Sequence, residues 1–140
     1  MPPEEAYDPT TDKSVLFSQG PGEPYGGALL LMNGTPQPGA MQLTTGTTYR
    51  FRFMNITPTL NNLRVSLKHE GSPVQWRFVS KDSVDVGTPT LKMADQMIAV
   101  GETYDFEYTA PSPQELTLEG LQPNSLRRSV QSLIFSDLPE

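Results

Sequence analysis

Residues 48–56 place Tyr49, Phe51 and Phe53 on one side of an extended chain and Arg50, Arg52 and Met54 on the other. Side chains alternate across a strand with period two, so the segment reads as a strand with one buried and one solvated face. The same alternation recurs along the sequence. Leu63, Val65 and Leu67 alternate with Arg64, Ser66 and Lys68; Trp76, Phe78 and Ser80 alternate with Gln75, Arg77 and Val79; Tyr104, Phe106 and Tyr108 alternate with Asp105 and Glu107. Shorter strands are expected at 14–18, 28–32, 41–43, about 96–100, 116–118 and 130–135, and Asp82, Asp85, Gly87 and Pro89 mark a loop. The 14 Pro and 11 Gly interrupt nearly every window long enough for a helix. No helical period and no long internal repeat is visible. Short strands about 8–14 residues apart, with turn signals between them, predict an all-β, antiparallel sandwich.

A chain of 140 residues supports one hydrophobic core. Residues 1–27 hold Pro2, Pro3, Pro9, Pro21 and Pro24, four glycines, and five acids against Lys13. They read as a Pro/Gly-rich acidic N-terminal arm with one short strand, ahead of a sandwich domain over 28–140. Ten Lys and Arg against 16 Asp and Glu give a formal charge of -6, which argues against nucleic-acid and anionic-membrane partners. The longest apolar run, 28–32, is far short of the roughly 20 residues of a membrane-spanning helix. The first eight residues lack the basic and apolar regions of a signal peptide, which leaves a cytosolic protein or a trimmed piece of a longer one.

There is no cysteine, and His69 is the single histidine. A disulfide framework, a Cys nucleophile, a Cys-based zinc site and an iron-sulfur cluster are therefore excluded. His69 is the only candidate metal ligand, with methionines as soft partners for Cu(I); as a strand-end residue it reads first as a surface histidine. Met1, Met32, Met41, Met54, Met93 and Met97 form no Met-x-Met or Met-x-x-Met cluster. Asp82 and Asp85 with Lys81 offer an acid/base pair or, more simply, a solvated loop. Trp76 with Tyr104, Phe106 and Tyr108 offers a sugar platform or core packing. Asn33-Gly34-Thr35 and Asn55-Ile56-Thr57 fit the short glycosylation sequon, and Arg127-Arg128 is a lone basic pair. No catalytic or cofactor-binding residue is assigned. The charges Arg50 and Arg52 against Asp105 and Glu107 would pair across strands if these are neighbours, at about 0.2–1 kcal/mol each, or stand solvated.

The order of motifs resembles a cupredoxin domain of the multicopper oxidase family. Asn33-Gly34 follows a core strand; Gly46-x-x-Tyr49-Arg50-x-Arg52-x-x-Asn55 opens the strongest strand; Lys81-Asp82 follows the strand of Trp76; Gly101-Glu102-x-Tyr104-Asp105 opens a late one. The match spans residues 28–119 and implies a Greek-key cupredoxin topology. Where the family has Asp-Gly this chain has Asp82-Ser83, which implies a different local turn. The family's mononuclear site needs a Cys thiolate and two His, and its oxygen-reducing centre needs His-x-His pairs; this chain has neither. The resemblance therefore implies a copper-free spacer that binds no cofactor itself, packs against other cupredoxin domains or its own copies, and belongs to a periplasmic or secreted oxidase. Oxidoreductase activity belongs to the family, not to these residues. The alternatives are a stand-alone carbohydrate or small-ligand module on the same sandwich, and a copper carrier using His69.

Overall fold

Alternating strands must bury their apolar side, and two sheets placed face to face let every strand do so at once. The computed structural model describes residues 10–20, 30–35, 37–57, 62–122 and 128–137. Twelve strands are present among them: β1 (Asp12–Gln19), β2 (Leu30–Met32), β3 (Met41–Thr44), β4 (Thr48–Asn55), β5 (Leu63–His69), β6 (Ser72–Pro73), β7 (Gln75–Lys81), β8 (Val84–Met93), β9 (Asp95–Ile98), β10 (Thr103–Thr109), β11 (Gln114–Leu121) and β12 (Arg128–Ser136). The first sheet runs β2-β1-β4-β10-β7-β8; the second runs β3-β12-β11-β5-β6, with β9 also paired to β5. No helix occurs among the described residues, hence none long and apolar enough to cross a membrane.

The architecture is the all-β sandwich expected, with mixed sheets. β1 pairs with β4 and β12 with β3 in parallel, while every other strand pair is antiparallel. Parallel neighbours need a crossover, and here the chain supplies it by passing through the other sheet between β1 and β4. The strand expected at 14–18 is β1, an inner strand whose Val15 and Phe17 are fully buried. The arm's residues 1–9 and 21–29 lie outside the described residues, as do Ala28 and Leu29 of the next expected strand and Arg127 of the basic pair.

Between the sheets lie Phe17, Phe51, Phe53, Trp76, Phe106 and Phe135, each 2% exposed or less. Trp76 stacks on Phe106 with ring centroids 4.1 Å apart, and Phe53 lies 5.5 Å from Trp76. Phe17 reaches across to β11, where a Cβ built on Gly120 would stand 2.4 Å from its ring. Only a residue without a side chain fits under that ring.

Two departures from the expected pattern have local causes. The stretch 82–89, read as a loop, is a two-residue turn followed by the edge strand β8, whose Lys81–Val84 pairing closes the hairpin. Asp82 and Ser83 both adopt positive φ, 52° and 68°. This is the signature of a type I′ turn, also formed by Asn33-Gly34 and by Glu70-Gly71. The turn that Asp-Gly would make is thus kept, contrary to the change inferred from serine, and Ser83 takes up the strain. Replacing Ser83 with glycine is expected to raise stability by about 1 kcal/mol, visible as a higher melting temperature. An unchanged or lower value would show that the serine costs nothing there.

The second departure is at Val79. Against β10, Phe106 pairs with Phe78 and Asp105 with Ser80, leaving Val79 as an extra residue. A bulge of this kind shifts the alternation. Ser80, expected on the side of Trp76 and Phe78, instead faces the outer surface, where its hydroxyl oxygen accepts from Arg50 Nη2 at 3.2 Å.

Candidate functional site

The polar residues worth considering as a site collect in two places, both made by the β4-β10-β7-β8 part of the first sheet. On its outer face Arg52 is the cross-strand partner of Asp105. The neighbouring-strand arrangement of these charges is therefore real. Arg50 Nε donates to Asp105 Oδ2 at 2.8 Å, and Arg52 donates through Nε and Nη2, the latter at 2.9 Å. Asp105 is only 1% exposed, because both arginines fold over it. Arg50 also extends to Asp85, 3.7 Å away. A carboxylate held by two guanidiniums has both oxygens engaged as hydrogen-bond acceptors.

The second place is the end of the sandwich where the β7–β8 hairpin meets the β9–β10 turn. Asp82 Oδ1 accepts the Thr103 N–H at 2.9 Å, and the Asp82 N–H donates to the Thr103 carbonyl at 2.7 Å. Lys81 Nζ sits 3.0 Å from both Asp82 Oδ2 and Glu102 Oε2, over the Tyr104 ring. Glu102 Oε1 in turn accepts the Ala99 N–H at 2.8 Å. The Thr103 amide and Lys81 hold the Asp82 carboxyl below its ordinary 3.8, and the Ala99 amide and Lys81 hold Glu102 below 4.5. The hydrogen bonds that its ammonium donates to Glu102 and Asp82 push Lys81 above 10.5.

Carboxylates depressed in the folded state contribute stability that is present above their unfolded values and lost as pH falls through the folded ones. The clasp is therefore expected to weaken below about pH 4.5. The stability difference between wild type and Asp82→Asn, measured by denaturant unfolding, should shrink as pH falls below the ordinary Asp value of 3.8. Lys81 acts in the opposite direction, and its contribution is lost as pH rises above 10.5. A wild-type-to-variant difference that stays constant across the acidic range would contradict the clasp.

Asn55 closes the strand that carries Arg50 and Arg52. It is fully buried; its Nδ2 donates to the Ile98 carbonyl at 2.9 Å, and its Oδ1 accepts the Thr57 N–H and hydroxyl. The sequon at Asn55 is thus inaccessible. At the other sequon Asn33 is exposed, but its side chain bonds Leu16 N and Ser14 O of β1.

The remaining candidates are not brought together. His69 ends β5 beside an I′ turn, with Glu70 Oε2 at 3.9 Å from its Nε2. Met32 is buried, while Met93 and Met97 lie on strands of different sheets. Asp82 and Asp85 have separate partners, Lys81 and Arg50. Trp76, Phe106 and Tyr108 face the core, and Tyr104 is partly buried against Phe106.

No family model matches the sequence, and no curated protein matches it. Solved structures do. The backbone superposes on a multicopper oxidase with TM-score 0.73 over 90% of this chain and 44% of that one, at 10% identity. The McoA multicopper oxidase from Aquifex aeolicus matches with TM-score 0.71, at 18% identity, over 89% of this chain and 31% of the other. The blue copper oxidase from Nitrosomonas europaea gives TM-score 0.68 and 15% identity, over 96% of this chain and 46% of the other. The fold is the cupredoxin-like fold of multicopper oxidases. This chain spans less than half the length of each of these proteins.

Copper of the kind such oxidases carry does not fit the residues of this cupredoxin-like domain. The chain has no cysteine and one histidine. Among the described residues no three His, Cys, Asp or Glu side chains converge as a metal site would need.

Proposed function

We propose that this chain is a copper-free cupredoxin-like domain with a structural role, packing against other cupredoxin domains of an oxidase or against copies of itself. One observation carries the reading: the backbone superposes on a multicopper oxidase over 90% of this chain, while the sequence lacks the Cys and paired His residues that copper sites of that kind need. The residues left exposed support a packing role. Val84, Leu91, Met93 and Met97, all 42–70% exposed, lie on β8 and β9 along one flank of the sandwich. Exposed apolar side chains of this size are candidates for contact with a partner surface. The carbohydrate alternative would draw on Trp76, Tyr104, Phe106 and Tyr108; three of these are inside, and Tyr104 is partly buried against Phe106. An exported location follows from the same likeness to oxidases.

The test is an oxidase assay on the chain supplied with copper. Oxygen consumption with a phenolic reductant should not exceed that of free copper at the same concentration. Sustained turnover that follows protein-bound copper would overturn the structural role.

A further inference from the structure

Leu91 and Met93 sit together on β8, 58% and 59% exposed. Their cross-strand partners on β7 are Arg77 and Gln75, and Arg77 faces Glu107 on β10. Trp76 and Phe78 point into the core, so this set shares the outer face of the first sheet. Arg77 makes no ion pair with any described residue, although Glu107 is its direct neighbour. An exposed cation beside two exposed apolar side chains is interface composition, since Arg and Met are enriched where proteins meet.

The edge of β8 argues for contact through this face and against strand addition. Four residues, 86–89, stand opposite Val79 in an irregular stretch of the β7–β8 ladder. Gly87 and Pro89 lie within it. Proline offers no N–H to an incoming strand, and the irregularity breaks the straight edge that strand pairing needs. Side chains are left to make the contact.

The pattern of charge selects the occupant. A contact about a two-fold axis places the same patch on both sides, so a cation must find its carboxylate on the same patch of the other copy. This patch carries both, Arg77 and Glu107, on strands that flank each other beside the apolar pair. We propose that the face is a self-association surface: two copies meet about a two-fold axis, Leu91 and Met93 pack on their counterparts, and Arg77 of each copy pairs with Glu107 of the other. The proposal rests on the packing role above and names its partner.

Sedimentation velocity of the chain from about 10 µM to about 1 mM tests it. Wild type should move from monomer to dimer in that range. Leu91→Asp and Arg77→Glu should each weaken association by about tenfold or more, with unchanged circular dichroism and melting temperature. The double exchange Arg77→Glu with Glu107→Arg should restore it, with equal melting temperatures for the single and double variants, so that relief of like-charge repulsion between the facing positions 77 and 107 within one chain is not the cause. A chain monomeric throughout, a dimer indifferent to both single variants, or a double exchange no better than Arg77→Glu would each overturn the proposal. A monomer that nevertheless binds a copper-bearing cupredoxin domain would overturn self-association and leave the packing role standing.

Discussion

Replacing Trp76 with alanine is expected to cost about 3–5 kcal/mol, a large part of the roughly 5–15 kcal/mol that holds a domain folded. The indole is 1% exposed, stacked on Phe106 and in contact range of Phe53, and the rigid sandwich around it has no means of closing over the space. Its Nε1–H has no acceptor among the described residues. A buried donor without a partner carries a desolvation cost of about 1–3 kcal/mol, so Trp76→Phe removes volume and that cost together. The phenylalanine variant should therefore lose about 1–2 kcal/mol, much less than the alanine one. Denaturant midpoints at constant m-value measure both. Equal losses for the two variants would mean that the indole nitrogen finds a partner after all.

Asp105→Ala is expected to cost about 2–3 kcal/mol, more than surface charges on a β-strand normally decide. The substitution leaves the Arg50 and Arg52 guanidiniums side by side without the carboxylate between them. Both arginines keep a path to water, being 25% and 44% exposed, which holds the loss below that of a fully interior pair. Replacing Arg52 by leucine in the same chain should recover part of the loss, because one of the two repelling cations is gone. A loss below about 0.5 kcal/mol would place all four charges in solvent, the other reading that the sequence allowed.

The strands with a clean period of two were legible without coordinates. β4, β5 and β10 carry it in full, and the turn after β2 announced itself as Asn33-Gly34. β8 was not legible, for a physical reason. An edge strand exposed on both faces has no apolar side, and its Asp85, Gly87 and Pro89 have the composition of a loop. Phase was lost at Val79, since a bulge adds one residue without leaving a mark in the composition. The burial of Asp105 was equally hidden. An acid alternating with aromatics looks solvated until two arginines from the next strand are known to lie across it. The motif that carried the resemblance did mark Asn55 and Asp105, and both turn out to be buried polar anchors of the scaffold. Cys-ligated metal sites and His-x-His centres were excluded by counting Cys and His, which no fold could alter.

Copper stoichiometry tests the central claim most directly. The chain should be exposed to Cu(I) and Cu(II), desalted, and analysed for metal, with the melting temperature followed in parallel. A domain that keeps the fold without the ligands should retain well under one copper per chain and melt at an unchanged temperature, and His69→Ala should behave as wild type. One tightly held copper per chain, lost with His69 and accompanied by a rise in melting temperature, would contradict it.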